Sequence, residues 1–299
     1  MTVTDGRQVE IAVVCDAQLG ESPLWSADEQ ALYWVDIKTP RLFRHDFATG
    51  ETRVTTLPEA VGAIALRDGG GLVAAARSGF AHVDRDGKLS APFCSPEEDR
   101  PGNRFNDGKC DRAGRFWAAS MHDGETDPSG SLYRLDGDGR CTRMEDGFVI
   151  GNGLGWSPDD RVFYFTDSVA RRIHAYEFDI GSGAIANRRV FAAIPDDAGF
   201  PDGLCVDAEG HVWSAHWDGW RVTRYAPDGR IVEVVRMPVP RPTSCAFGGA
   251  DLATLYVTSA RVNLTAAELA RSPLSGNVFA VRPAVRGLRE PAVAASRRA

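Results

Sequence analysis

The chain has 299 residues, 43% hydrophobic and 25% charged, a composition typical of globular proteins that excludes a largely disordered chain. The formal net charge is −7 and basic residues are scattered, so no nucleic acid partner is expected, because phosphate binding needs a concentrated basic face. No apolar stretch approaches about 18 residues, and the N-terminus lacks the apolar run of a secretory signal. We therefore expect a cytoplasmic protein that does not bind a membrane.

Six segments along the chain follow one plan: a short apolar strand, a turn, and a second strand rich in aromatic and β-branched residues. They lie at 22–36, 63–76, 108–120, 153–167, 203–216 and 244–260. The second strands begin at intervals of 40 to 49 residues, so the repeat is about 45 residues long. An alternating third strand, such as SLYRLDG, follows most of these hairpins. Four short antiparallel strands per repeat predict one blade of a β-propeller.

The sequence therefore predicts an all-β fold, a six-bladed β-propeller of four-stranded antiparallel blades, with a long β-sandwich as the alternative. Six repeats fill residues 1–283 as a single domain. Composition predicts that residues 284–299 form a disordered tail. One helix is expected, at 264–269.

The N-terminal strand VEIAVVCD, residues 9–16, precedes the first blade and has no partner nearby in the sequence. An open ring would expose sheet edges, which invite aggregation. We therefore expect this strand to close the ring by joining the last blade, beside NVFAVRP at 277–283.

Polar residues precede the innermost strands of four different blades. These are Glu21, Asn106 with Asp107, Asn152 and Asp202. The loops that enter innermost strands gather at one mouth of the central channel, so these side chains should converge there. Carboxylate and amide oxygens together suit a hard divalent cation. Asn-Gly and Asp-Gly pairs also form turns, and a purely structural role is the alternative.

Four motifs in chain order carry a resemblance to a known family: GESPLW from Gly20, NRFNDGK from Asn103, GNG from Gly151 and FPDG from Phe200. Together they resemble the SMP-30/gluconolactonase/regucalcin family, and within it they look most like the bacterial sugar-acid lactonases. The resemblance covers nearly the whole chain.

The resemblance implies a six-bladed propeller with one divalent cation, which would be Ca²⁺, Mg²⁺, Mn²⁺, Zn²⁺ or Fe²⁺. It places the metal ligands at Glu21, Asn152 and Asp202, and it implies that Arg104 and Asn106 contact the substrate. The expected reaction is hydrolysis of aldono-1,4- or 1,5-lactones to sugar acids. In it the cation polarises the lactone carbonyl and activates water, and Asp202 accepts the proton of that water.

The chain departs from the animal members of the family at MHDGE, residues 121–125. No alignment without gaps puts a glutamate at the matching position, so His122, Asp123 or Glu125 is expected to contact the substrate.

Two other functions stay open at this stage. A calcium-dependent phosphotriesterase or aryl esterase could use the same scaffold, because a fold does not determine a function. A non-catalytic metal-binding propeller is the second alternative. The expected partner is a small sugar lactone, and the protein is expected to be a monomer or a weak homo-oligomer.

Overall fold

The computed structural model describes residues 7–294, which form six small sheets arranged in a ring. This arrangement is a six-bladed β-propeller, and it confirms the fold predicted from the repeat. The strands begin with β1 (Val9–Val13), which precedes blade 1. Blade 1 consists of β2 (Gly20–Ser26), β3 (Ala31–Asp36), β4 (Arg41–Asp46) and β5 (Thr52–Thr56), and blade 2 of β6 (Val61–Arg67), β7 (Leu72–Ala76), β8 (Gly79–Val83) and β9 (Leu89–Cys94).

The next three blades repeat this order from the innermost to the outermost strand. Blade 3 consists of β10 (Asn103–Cys110), β11 (Phe116–His122), β12 (Gly130–Leu135) and β13 (Cys141–Phe148), and blade 4 of β14 (Gly151–Trp156), β15 (Val162–Asp167), β16 (Arg172–Asp179) and β17 (Ala184–Ala193). After a short 3₁₀ turn at Asp196–Ala198, blade 5 consists of β18 (Phe200–Val206), β19 (Val212–Trp217), β20 (Arg221–Tyr225) and β21 (Ile231–Arg236).

Blade 6 joins the two ends of the chain. It contains β22 (Pro242–Gly248), β23 (Thr254–Ser259) and β24 (Val278–Val281), and its outermost strand is β1. Val9 pairs with Val281 and Val13 with Val278, in antiparallel register. The expected closure by the N-terminal strand is therefore confirmed. Because β1 completes blade 6, the edge of β24 is paired and is not exposed to another chain.

The hydrophobic core lies between neighbouring blades, where large aromatic side chains fill the wedge between the sheets. Trp34, Trp117 and Trp213 are fully buried. The ring centroids of Trp117 in blade 3 and Phe163 in blade 4 are 5.2 Å apart. Burying one large apolar side chain contributes about 1.5–3 kcal/mol, so these contacts hold adjacent blades at a fixed angle.

The C-terminal segment differs from the sequence prediction. Residues 284–294 do not form a disordered tail, because β25 (Ala292–Val293) pairs in parallel with the end of β6. Glu290 also accepts a hydrogen bond from Lys109 at 3.2 Å. Composition gave no sign of this order, since the segment is held by backbone pairing, by the ion pairs of Glu290 with Lys109 and Arg289 with Asp28, and by the isolated valines Val285 and Val293, which pack against the core. Residues 295–299 of the predicted tail lie outside the described residues.

One short helix, α1 (Ala266–Arg271), lies between β23 and β24. It begins two residues after the predicted start, because Thr265 is the N-cap and its side chain accepts a hydrogen bond from the Glu268 backbone N–H. Across residues 7–294, no helix has the length and apolar character needed to span a membrane.

Candidate active site

The innermost strand of every blade has a register shift near its start, at the same mouth of the channel. In blades 1, 4 and 5, for example, the pairing shifts after Glu21, Asn152 and Pro201. Equivalent shifts occur in blades 2, 3 and 6. A β-bulge bends the strand and re-aims the side chains beside it. Each polar residue that the sequence placed before an innermost strand therefore lies at or beside a bulge.

The three predicted metal ligands are brought together by these bulges. Glu21, Asn152 and Asp202 come from blades 1, 4 and 5 and are buried, with exposed fractions of 4%, 4% and 6%. The Asn152 side-chain amide donates a hydrogen bond to Asp202 Oδ1. Among residues 7–294, no group of three or more His, Cys, Asp or Glu side chains is placed so that these residues alone could hold a metal ion. A cation bound here would therefore also need the amide oxygen of Asn152.

The electrostatics of this cluster are dominated by burial and by the mutual repulsion of its acids. Burial, together with the charges of Asp202 and Asp107, raises the pKa of Glu21 well above its ordinary value. Burial and the charge of Asp107 raise the pKa of Asp202 in the same way. Burial raises the pKa of Asp107 to about 6. Within the described part of the chain, none of the three has a basic group within 4.0 Å. A divalent cation is the group that would stabilise their ionised forms.

Arg104 and Asn106, the predicted substrate residues, lie on β10 next to the carboxylate cluster. Arg104 is buried, and its Nη1 donates to Asn106 Oδ1 at 2.9 Å. Asn106 Nδ2 in turn donates to the carbonyl of Gly151, the residue before Asn152, at 3.1 Å. The Arg104 charge also lowers the pKa of Glu21. The structure thus joins blade 3 to the predicted metal ligands by a short chain of hydrogen bonds.

The stretch at 121–125 separates into three different environments. Asp123 accepts a hydrogen bond from Arg104 Nε at 2.8 Å and belongs to the mouth of the channel. Glu125 is exposed, and its charge contributes to the raised pKa of Asp202. His122 Nδ1 accepts from the backbone of Gly124 at 3.2 Å, and within the described residues it has no hydrogen bond to the carboxylate cluster. Of the three side chains, that of Asp123 contacts Arg104, whereas Glu125 and His122 are joined to each other by a hydrogen bond from the Glu125 backbone N–H to the His122 carbonyl at 2.9 Å.

Two cationic residues at the mouth were not found from the sequence. Lys38 follows β3 and Arg77 follows β7, and both contact Asp123. Their positions in the repeat could have identified them. The loop between the second and third strands of a blade lies at the same mouth of the channel as the loop that enters the first strand. Of the loops of this kind, residues 121–125 were predicted to contact the substrate, whereas the loops that contain Lys38 and Arg77 were not.

Comparisons with known proteins show the family to which the chain belongs. Residues 19–261 match the sequence model of the SMP-30/Gluconolactonase/LRE-like region, a span that contains every predicted site residue. The chain belongs to this family. The resemblance found in the motifs is therefore confirmed, and the family region includes the innermost strands of all six blades.

Individual relatives cover almost the whole chain. A 6-deoxy-6-sulfogluconolactonase from Pseudomonas putida is 40% identical over 274 residues, which is 91% of this chain and 94% of the relative. The crystal structure of a calcium-binding protein, regucalcin from Agrobacterium tumefaciens, has a TM-score of 0.92 and 29% identity and covers 96% of this chain and 97% of its own. A gluconolactonase from Xanthomonas campestris has a TM-score of 0.74 and 25% identity, with 93% and 90% covered.

Proposed function

We propose that this member of the SMP-30/gluconolactonase family is an enzyme that hydrolyses sugar lactones with one divalent cation bound by Glu21, Asn152 and Asp202. The observation that carries the proposal is the buried carboxylate cluster at the channel mouth, where burial and the charges of neighbouring acids raise the pKa values of Glu21 and Asp202. Burying uncompensated carboxylates is costly, and a bound cation removes that cost. The relatives named gluconolactonase and 6-deoxy-6-sulfogluconolactonase support the lactone as substrate class.

The residues at the mouth would have different roles in the reaction. A bound cation would supply Lewis acidity, which polarises an ester carbonyl and lowers the pKa of water. Asp202 would accept the proton of the attacking water. Arg104 and Asn106 would hold the sugar oxygens by hydrogen bonds, with Asp123, Glu125 or His122 contacting the distal hydroxyls. The site would thus position the lactone between blade 3 and the ligands of blades 1, 4 and 5.

The choice of cation follows from the donor atoms. The set consists of two carboxylates and one amide, all of them oxygen donors, and such sets favour hard cations such as Ca²⁺ over thiophilic ones. The regucalcin from Agrobacterium tumefaciens is described as calcium-binding, which supports Ca²⁺. Asn152 would turn its amide by half a rotation so that the oxygen faces the ion. The donor set of this chain therefore fits calcium.

A sugar substrate fits the mouth better than an aryl ester. Polyols need several hydrogen-bonding side chains, and here Arg104, Asn106 and Asp123 lie in one connected network. An aryl ester would favour a mostly apolar mouth. We therefore place sugar lactones before phosphotriesters and aryl esters as substrates.

The test compares two kinds of variant on the calcium-loaded protein. Glu21→Gln, Asn152→Ala and Asp202→Asn should each lose calcium binding, measured by calorimetry, together with more than about 100-fold of kcat/KM on gluconolactone. Arg104→Ala should keep calcium binding but lose roughly 10- to 1000-fold of kcat/KM, as expected for about 1.4–4 kcal/mol of lost transition-state interaction. Full activity of the chelator-treated wild type would contradict the proposal.

A further inference from the structure

Three cationic side chains from three consecutive blades converge on a single carboxylate at the channel mouth. Lys38 Nζ lies 3.0 Å from Asp123 Oδ1, and Arg104 Nε lies 2.8 Å from the same oxygen. Arg77 Nη1 lies 3.1 Å from Asp123 Oδ2. We call these four residues the rim cluster.

The charges of the rim cluster do not balance. Three positive groups share one negative group, and among residues 7–294 none of the three cations has a second carboxylate within 4.0 Å. Although burial acts in the opposite direction, hydrogen bonds from Arg104 and Lys38 lower the pKa of Asp123, so the carboxylate stays ionised at neutral pH. The cluster therefore keeps an excess positive charge, on a protein whose net charge is −7. Local charge of this kind attracts anions into a cleft.

The rim cluster is both accessible and connected to the proposed catalytic site. The side chains of Lys38, Arg77 and Asp123 are 34%, 42% and 32% exposed, whereas that of Arg104 is 2% exposed. Arg104 therefore lies between the open rim and the buried part of the site, where it donates to Asn106. A small ligand with its reactive end at the carboxylate cluster would have its far end at Lys38 and Arg77.

We propose that the rim cluster is a subsite for a negatively charged group at the far end of the lactone, such as the terminal carboxylate of an aldarolactone. This inference rests on the proposed lactonase function. Neutral hydroxyl groups can be held by polar side chains without excess charge, as Asn106 would do. The rim cluster has three positive groups and one negative group, and this excess positive charge is instead suited to a carboxylate. Charge-assisted hydrogen bonds are about twice as strong as neutral ones, and a guanidinium can bind both carboxylate oxygens.

The experiment uses two lactones that differ only at the terminal carbon, D-glucaro-1,4-lactone with a carboxylate and D-glucono-1,4-lactone with a hydroxymethyl group. For the calcium-loaded wild type, kcat/KM should be higher for the charged lactone. The Lys38→Met, Arg77→Gln double variant should lower the ratio of the two efficiencies by roughly tenfold or more, and high salt should lower the wild-type ratio in the same direction. Arg230→Gln removes an exposed positive charge from another hairpin and should leave the ratio unchanged.

The outcomes separate this inference from the function on which it rests. A double variant that hydrolyses the neutral lactone with an unchanged efficiency ratio would overturn the rim subsite and leave the lactonase intact. A calcium-loaded wild type that hydrolyses neither lactone would refute the lactonase. The subsite is then judged by calorimetry with glucarate and gluconate. Tighter binding of glucarate that disappears in the double variant supports it, and equal binding of the two acids overturns it. Circular dichroism verifies that the variants are folded.

Discussion

Three buried carboxylates, Glu21, Asp107 and Asp202, determine the chemistry of the site at the scale of single residues. Each has a raised pKa, and burial is the largest cause in every case. Asp107 belongs to the same electrostatic unit, because its charge raises the pKa of both other acids. From the sequence, Asp107 was noted before its strand but received no role, since its distance from the other acids depends on how the blades meet. The cluster predicts how stability depends on pH and metal.

In the metal-free protein, a raised carboxylate pKa means that the native state still holds protons that the unfolded chain has already released above about pH 4. The free energy of unfolding should therefore fall as pH rises through the native pKa values, of which that of Asp107 is about 6. A calcium ion bound by the proposed ligands would keep these carboxylates ionised and should remove this contribution. Melting temperatures between pH 5 and 8 should decline for the metal-free protein much more than for the loaded one. Asp107→Asn should weaken the decline, and identical slopes with and without calcium would contradict the prediction.

At the scale of elements, the innermost strands combine a regular blade with an irregular mouth. The sequence predicted the strands well, because repeated turns and apolar runs are local signals. It could not predict the six bulges, the approach of Lys38 and Arg77 to Asp123, or the pairing of β25 with β6, because all three depend on contacts between distant parts of the chain. The candidate ligands were nevertheless accessible from sequence, since each lies at the same place in its repeat.

A substitution at Gly153, in the bulge of β14, would test whether the geometry of that bulge matters for metal binding. Its φ is +27°, and a Cβ atom there would lie 2.6 Å from the Asp202 carbonyl oxygen. Gly153→Ala should therefore shift the Asp202 backbone, weaken calcium binding and destabilise the fold by about 1–3 kcal/mol. Gly139 is the matched control, because it also has a positive φ of +86° but has no atom within 4 Å of an added Cβ. Gly139→Ala should cost only the backbone strain, about 1 kcal/mol, and keep calcium affinity. Equal calcium affinity in both variants would show that the bulge is not critical.

At the scale of the whole molecule, the ring depends on a pairing between the two ends of the chain. β1 is the outermost strand of blade 6, where Val13 is buried in the core between blades 6 and 1 and Val9 packs partly buried against the core between blades 5 and 6. The proposed metal ligands come from blades 1, 4 and 5, so their convergence requires the ring to keep its curvature. Stability, closure and ligand geometry are therefore coupled, although β1 lies far from the site in its own blade.

Removing residues 1–13 should destabilise the entire propeller, not only its outer edge. The loss of the contacts of buried Val13 and partly buried Val9 costs about 2–4 kcal/mol, since full burial of one such side chain contributes about 1.5–3 kcal/mol. For a protein of this size this corresponds to a fall in melting temperature of roughly 5–15 °C. The exposed edge of β24 should also promote aggregation, which size-exclusion chromatography detects. Removing residues 1–6 leaves β1 whole and is the control, for which no such change is expected. A protein lacking residues 1–13 that melts like this control would show that the ring does not need its N-terminal strand.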